Sequence, residues 1–223
     1  MKKFKVLLAA AAVAVSSSAF AQDLSFGVKA GLNFSKFSEK AGGIKYTDGE
    51  KSKAGICIGA FADYNLNDMF ALEAGLQYEQ KGGKFVESDY DYYGDYYEEK
   101  TKTTINYFTI PVNFRVNLPI GDNNLYFLAG PTFGIGLSCK EKVEEKEDGE
   151  SNSIEHNLIF GDTYNSDYKR MNVGLLFGAG FEMSNNIGVR LTYDLGLSNL
   201  EPKGDSNNST KTNVLGIAVT YKF

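Results

Sequence analysis

Beyond its first twenty residues the chain has no apolar run long enough to cross a bilayer as a helix, which takes about 20 consecutive residues. Histidine is nearly absent: His156 stands alone among 223 residues. It has no serine at a fixed spacing and no third group to orient it, so a His-dependent nucleophile has no visible parts. The two cysteines, Cys57 and Cys139, are too far apart for a metal-ligand or redox motif. Phosphate-binding glycine loops, zinc spacings and nucleophile elbows are missing as well. Cations are in deficit, 23 Lys and Arg against 28 Asp and Glu, and a net charge of −5 gives no electrostatic footprint for nucleic acid. These absences exclude most enzyme classes and any cofactor, metal or nucleic-acid reading.

What is present begins with Lys2, Lys3 and Lys5, an apolar run over 6–15, and then Ala19-Phe20-Ala21. A charged head, a short apolar body and an Ala-x-Ala site describe a signal peptide over 1–21, cleaved after Ala21. Gln22 follows rather than the Cys of a lipoprotein. Losing the three lysines takes the formal charge from −5 to −8. The exported chain, 22–223, enters a compartment where disulfides are permitted. Cys57 and Cys139 fall on opposite parities, and two separate thiols are expected over a bridge.

After the signal, alternation takes over. Residues 24–34, 54–64, 69–79, 104–118, 125–138, 171–183, 187–197 and 212–223 each place an apolar set on one parity and small or polar residues on the other. In the last of them Leu215, Ile217, Val219, Tyr221 and Phe223 oppose Val214, Gly216, Ala218, Thr220 and Lys222. Strand side chains change sides at every residue, so each segment reads as a strand with one greasy face. One such segment of about ten residues is a weak signal; eight in series are the pattern of transmembrane strands. Only a closed barrel lets strands satisfy every backbone group inside a bilayer. The expectation is an all-β, eight-stranded antiparallel up-and-down transmembrane β-barrel, its last strand closing against 24–34.

The connections alternate too. Residues 65–68, 119–123 and 184–186 are tight, turn-rich links, whereas 38–53, 81–103, 139–170 and 199–211 are long and polar. Short turns on the periplasmic side and long loops outside are the organisation of outer-membrane barrels. With eight strands both termini are then periplasmic. Pro111 lies mid-strand without an N–H to donate, which predicts a local irregularity there.

The face opposite the apolar one carries many glycines, which suits a narrow, tightly curved lumen. It also carries Lys29, Arg115, Arg190 and Lys222 beside Asp63, Glu73, Glu79, Glu182 and Asp194. Charges in so small a lumen need partners, so Lys29, Asp63, Glu73, Arg115, Glu182, Arg190 and Asp194 are the candidate polar network. It is expected to plug the interior rather than to act as catalytic acid and base. In the loops, the carboxylate-rich stretch holding Tyr90, Tyr92, Tyr93, Tyr96 and Tyr97 is the candidate binding surface, since tyrosine offers amphipathic contact area at low entropic cost. Its acidic spacing does not follow an EF-hand. The charge run over 141–148 reads as a solvated strand extension or loop.

Several strand motifs resemble one family. Tyr107, Phe108, Thr109, Ile110 and Pro111 resemble the Tyr-Leu-x-Ile-Pro strand of the PorT-like outer-membrane barrels of Bacteroidetes. Ala129 to Gly134, Gly174 to Glu182, Tyr193 to Leu200 and the terminal Tyr221-Lys222-Phe223 resemble that family's later strands. Thr109 departs from it, where Glu is common. The resemblance implies an outer-membrane barrel and a terminal aromatic read by the barrel-assembly machinery; it implies no shared catalytic residue. The chain is therefore expected to be a monomeric, non-enzymatic outer-membrane protein, structural or binding a partner through its loops. Its expected partners are outer-membrane lipid, the assembly machinery during insertion and an extracellular or periplasmic ligand. The alternatives are a narrow channel or transporter for small or apolar solutes and, more weakly, a lipid-modifying enzyme. Alternation alone also permits a soluble barrel with the apolar face turned inward.

Overall fold

In the computed structural model the described residues are 24–46, 49–90, 96–147 and 150–223, with the side chains of 46, 89, 90, 96, 147 and 150 left aside. The expected signal peptide and Tyr92 and Tyr93 lie outside them. The described residues form eleven strands: β1 (Leu24–Ala41), β2 (Ile44–Tyr46), β3 (Glu50–Lys51), β4 (Lys53–Asn65), β5 (Phe70–Tyr90), β6 (Tyr96–Ile120), β7 (Asn123–Glu147), β8 (Glu150–Leu158), β9 (Met171–Glu182), β10 (Ile187–Gly196) and β11 (Ser209–Lys222).

Eight of them make a ring. β1 pairs β4, and the order runs on through β5, β6, β7, β9, β10 and β11, every neighbour antiparallel. β11 returns to β1 from Gly27↔Lys222 to Lys40↔Ser209, and the Phe223 N–H donates to the Phe26 carbonyl at 2.9 Å. Closure leaves the ring without an open edge.

The apolar parity faces outward. Leu32, Ile58, Leu76, Phe114, Leu191 and Ile217 are all exposed, each on a ring strand, while the opposite parity is buried and polar. The inside-out, soluble arrangement is thereby ruled out. Tyr64, Phe114, Phe181 and Tyr221 lie toward the short-turn end of this belt, and Phe34, Phe108, Phe133 and Tyr193 toward the other, which matches the aromatic girdles of membrane barrels.

The short links are held locally. Asn67 Oδ1 accepts from the N–H groups of Met69 and Phe70, both at 2.9 Å, so its side chain builds the turn into β5. Gly121 takes a φ of +61° in the two-residue turn between Ile120 and Asn123, a conformation glycine adopts without cost.

At the opposite end the structure corrects several readings. The stretches 81–103 and 139–158 are not loops: β5 and β6 stay paired up to Tyr90↔Tyr96, and β7 pairs β6 up to Tyr97↔Glu147 and β8 up to Glu147↔Glu150. Both faces of this extension are polar, which erased the alternation that marked the lower strands. His156 is accordingly on a strand, opposite Glu141. The irregularity expected at Pro111 is present as a local loss of pairing: the ladder to β5 lapses between Ala74↔Val112 and Gln77↔Thr109, while Pro111 keeps register with Thr132. A separate bulge, which the sequence did not mark, falls between Asn106 and Tyr107. There Asn106 pairs Ser138 and Tyr107 pairs Gly136, leaving Leu137 as the extra residue. An extra residue inverts the parity that follows. Cys139 therefore turns inward, to 3 % exposure, instead of outward.

Cys139 joins Phe37, Ile105 and Tyr107 in a buried apolar cluster, closed over by Leu158, Phe160 and Tyr168. The segment from 159 to 170 lies across the mouth: the Gly136 N–H donates to the Arg170 carbonyl at 2.7 Å, and the Lys169 N–H to the Leu200 carbonyl at 2.7 Å. Both cysteines are buried and free.

Candidate functional site

The barrel interior is a column of charge laid down by parity. Inward positions of neighbouring strands fall side by side, so Asp63 of β4 is level with Glu73 of β5, and Glu73 with Asn113 of β6. Arg115 reaches across this layer. Its Nη1 donates to Asp63 at 3.0 Å, its Nη2 to Glu182 at 3.0 Å and its Nε to Asn117 at 2.8 Å. The Arg115 Cζ lies 3.7 Å from the centre of the Tyr126 ring, a cation–π contact.

Arg190, from β10, pairs with Glu73 through two parallel bonds of 2.8 and 2.6 Å, and its Nε donates to the Tyr126 hydroxyl at 2.9 Å. Glu73 also accepts from Asn113 at 3.1 Å. Lys222 closes the short-turn side, 3.0 Å from Asp63 and 3.4 Å from Glu182. Arg115 and Arg190 are each at most 2 % exposed. A buried charge pair repays its desolvation only with such geometry and with the remaining valences filled. The layer also needs room. A Cβ on Gly180 would lie 2.2 Å from the Tyr126 ring, and one on Gly27 would lie 2.3 Å from the Phe61 ring.

A second layer sits toward the long-hairpin end. Lys81 Nζ lies 2.8 Å from Asp194 and 3.0 Å from Glu79. Asp194 accepts further from Thr132 at 3.1 Å, and Glu79 from Asn33 at 3.2 Å. Lys81 was assigned to a loop on sequence, yet it continues the inward parity of 73, 75, 77 and 79, the one signal that would have found it. Lys81 and Lys53, the latter buried at 3 % exposure on the inward parity of β4, join the four inward cations read from sequence.

Lys29 is the exception. Buried at 7 % exposure, it has no hydrogen bond or ion pair among the described residues. It borders a cavity of about 30 Å³ shared with Asn33, Cys57, Gln77 and Arg190. Of the seven candidate lumen residues, then, six are held in ion pairs and one is not. Nothing in this column forms a nucleophile–base–orienter set, and no cluster of three metal-binding side chains occurs among the described residues.

Of the candidate tyrosines, Tyr90 and Tyr96 form the last backbone pair of the β5–β6 hairpin. The Tyr97 hydroxyl donates to Glu99 at 2.9 Å. Lysines and glutamates alternate with them along β6 and β7, for example Lys142 2.7 Å from Glu144.

A sequence model of the family described as "outer membrane protein beta-barrel domain" matches residues 20–201. No curated protein matches the chain. Among solved structures the chain is similar to Ail, the attachment invasion locus protein of Yersinia pestis, at 15% identity over 89% of this chain and 98% of that one, with a TM-score of 0.41. It is similar to Neisserial surface protein A at 14% identity over 89% and 97%, with a TM-score of 0.43. OprG of Pseudomonas aeruginosa matches at 14% identity over 89% and 95%, with a TM-score of 0.44. The family match, the closed ring and the outward apolar belt agree: this chain belongs to the outer membrane protein beta-barrel domain family and is a bacterial outer-membrane β-barrel.

Proposed function

We propose that this protein is a non-enzymatic surface barrel that presents a binding surface on its extended strands, with the long hairpins outside the cell and both termini periplasmic. The observation that carries this reading is the extension itself. β6 is 25 residues long, about 80 Å at strand rise, whereas a tilted membrane strand needs only ~9–11 residues. Strand beyond the belt has no role in spanning the bilayer; here it holds tyrosines, lysines and glutamates on both faces of a paired sheet. The ion-paired lumen and the apolar cluster at its mouth support this reading over the narrow-channel alternative. The cleaved signal peptide over 1–21 and placement among the PorT-like barrels are part of the same proposal, resting on the motifs described above.

The test is to replace residues 86–100 by a two-residue turn. The trimmed barrel is expected to keep its heat-modifiable gel mobility in outer-membrane fractions, while whole cells lose attachment to host or matrix surfaces. Attachment that survives trimming, in cells shown to carry the protein at their surface, would assign binding elsewhere.

A further inference from the structure

The strand extension does not spread its charges evenly over its two faces. Paired residues share a face, and the ladders set Lys51 opposite Lys84, Lys84 opposite Lys102 and Lys102 opposite Lys142. β3, β5, β6 and β7 thus hold one lysine each in a single transverse row. The face is the outer one, since Lys102 follows Phe108, Asn106 and Thr104 on the outward parity of β6. The next row up the sheet adds Lys100 opposite Glu144. The inner face is the reverse. Glu87 lies opposite Glu99, and Glu99 opposite Glu145. Among the described residues of β3, β5, β6, β7 and β8, no lysine shares that inner side beyond Lys81.

Side-chain contacts keep the two sets apart. A hydrogen bond from Lys100 and then, against slight desolvation, the charges of Lys100, Lys146 and Lys84 hold the Glu98 carboxyl below its ordinary range. On the other face the bond to Glu99, slight desolvation and the carboxylates of Glu99, Glu145 and Glu87 raise the Tyr97 hydroxyl. The outer carboxylates are already taken. Glu98 pairs with Lys100, Glu144 lies 2.7 Å from Lys142, and Glu155 lies 2.6 Å from Lys140. Lys51, Lys84 and Lys102 are left without an ion pair among the described residues. Like charges directly opposite one another destabilise a ladder, so this row weakens the sheet that carries it unless an anion lies against it.

The position of the row narrows the anion. It continues the parity of the apolar belt, so it looks sideways over the membrane surface and not into the space above the mouth. The charge it meets there belongs to the surrounding leaflet. From Phe108 to Lys102 the strand rises about 20 Å, or about 15 Å along the membrane normal at a tilt of ~40°. A phospholipid headgroup layer is about 5–8 Å deep, which leaves its phosphate below the row. A phosphate carried on the sugars of a glycolipid reaches it, and lysine binds phosphate as a point charge. We propose that the outer face of the extension binds phosphate groups on the saccharide headgroup of outer-leaflet glycolipid, with Lys51, Lys84 and Lys102 at its centre. This goes beyond attachment and rests on the surface-binding reading only for the side of the membrane that the hairpins face. Its test uses the purified barrel, so loss of the attachment reading leaves it standing.

The measurement is titration of the folded barrel in neutral detergent with four probes: deep-rough lipopolysaccharide, the same material stripped of phosphate, phosphatidylglycerol and heparin. Intact lipopolysaccharide is expected to bind saturably. A basic side chain near an anionic surface accounts for about fivefold in affinity, so Lys102→Gln should weaken binding about fivefold and Lys51→Gln with Lys84→Gln and Lys102→Gln at least about twentyfold. The triple variant breaks no ion pair and should keep its heat-modifiable mobility; if it does not fold, Lys102→Gln carries the test. Glu87→Gln with Glu99→Gln, on the inner face, should leave the affinity within about twofold, because exposed charges across the sheet are screened. Equal binding of stripped lipopolysaccharide or of phosphatidylglycerol, or lipopolysaccharide affinity untouched by the lysine variants, would overturn the proposal. Heparin binding that is tighter than that of lipopolysaccharide and depends on the same lysines would overturn it too, and assign the face to a soluble polyanion.

Discussion

Glu73 and Lys29 face the same lumen with opposite fortunes. Glu73 satisfies Arg190 through two bonds and takes a third from Asn113. Lys29 makes neither hydrogen bond nor ion pair among the described residues. Removing one member of a buried pair leaves the other charge uncompensated, so Glu73→Gln should cost about 3–5 kcal/mol. Removing a buried charge that has no pair relieves desolvation, so Lys29→Met should change stability by less than about 1 kcal/mol or raise it. Urea unfolding of the barrel in lipid vesicles, read by loss of the heat-modifiable band, compares the two. Equal losses would mean that Lys29 has a partner as strong as that of Glu73. At this scale the sequence was informative where parity was unbroken: Asp63, Glu73, Arg115, Arg190 and Asp194 were legible as inward charges because apolar neighbours flank each one. Which carboxylate meets which guanidinium was not legible, since that depends on the stagger of strands far apart in the chain.

The bulge at Leu137 shows how one residue governs an element. Below it the even positions of β7 face inward, with Tyr126, Leu128 and Thr132 buried; beyond it Cys139 does. Deleting Leu137 should restore plain alternation and turn Cys139 outward. In the folded wild-type barrel both thiols are buried and should resist a water-soluble maleimide. The deletion variant is expected to gain one labelled cysteine, located by mass spectrometry at Cys139. Labelling of neither thiol in a folded deletion variant would mean that the parity is set by something other than this bulge. The same element explains the limits of sequence reading. A proline draws attention as a ladder breaker, and the ladder to β5 does lapse at Pro111, whereas the separate bulge involves Asn106, Tyr107 and Leu137, residue types that do not mark one. The extension went unread for a related reason: period two is visible only when the two faces differ, and above the belt both carry mostly polar residues.

For the whole molecule the decisive property is that the interior is closed twice. Near the short-turn end Arg115, Arg190 and Tyr126 interlock across the lumen; near the other end Phe37, Ile105, Tyr107 and Cys139 pack beneath Phe160 and Tyr168. An eight-stranded ring is just wide enough for side chains to fill, so either closure alone should stop ions. Planar-bilayer recordings can separate them. Glu73→Ser with Arg190→Ser removes the tightest pair without changing the net charge of the lumen. Replacing residues 159–168 by a short glycine–serine linker removes the cover of the apolar cluster. Neither change by itself is expected to produce a conductance, because the other closure persists; the two combined should. Conductance in the wild-type barrel would refute the double closure and favour the channel reading. Conductance after the linker replacement alone would show that the ion-paired layer passes ions and that the apolar mouth is the sole barrier.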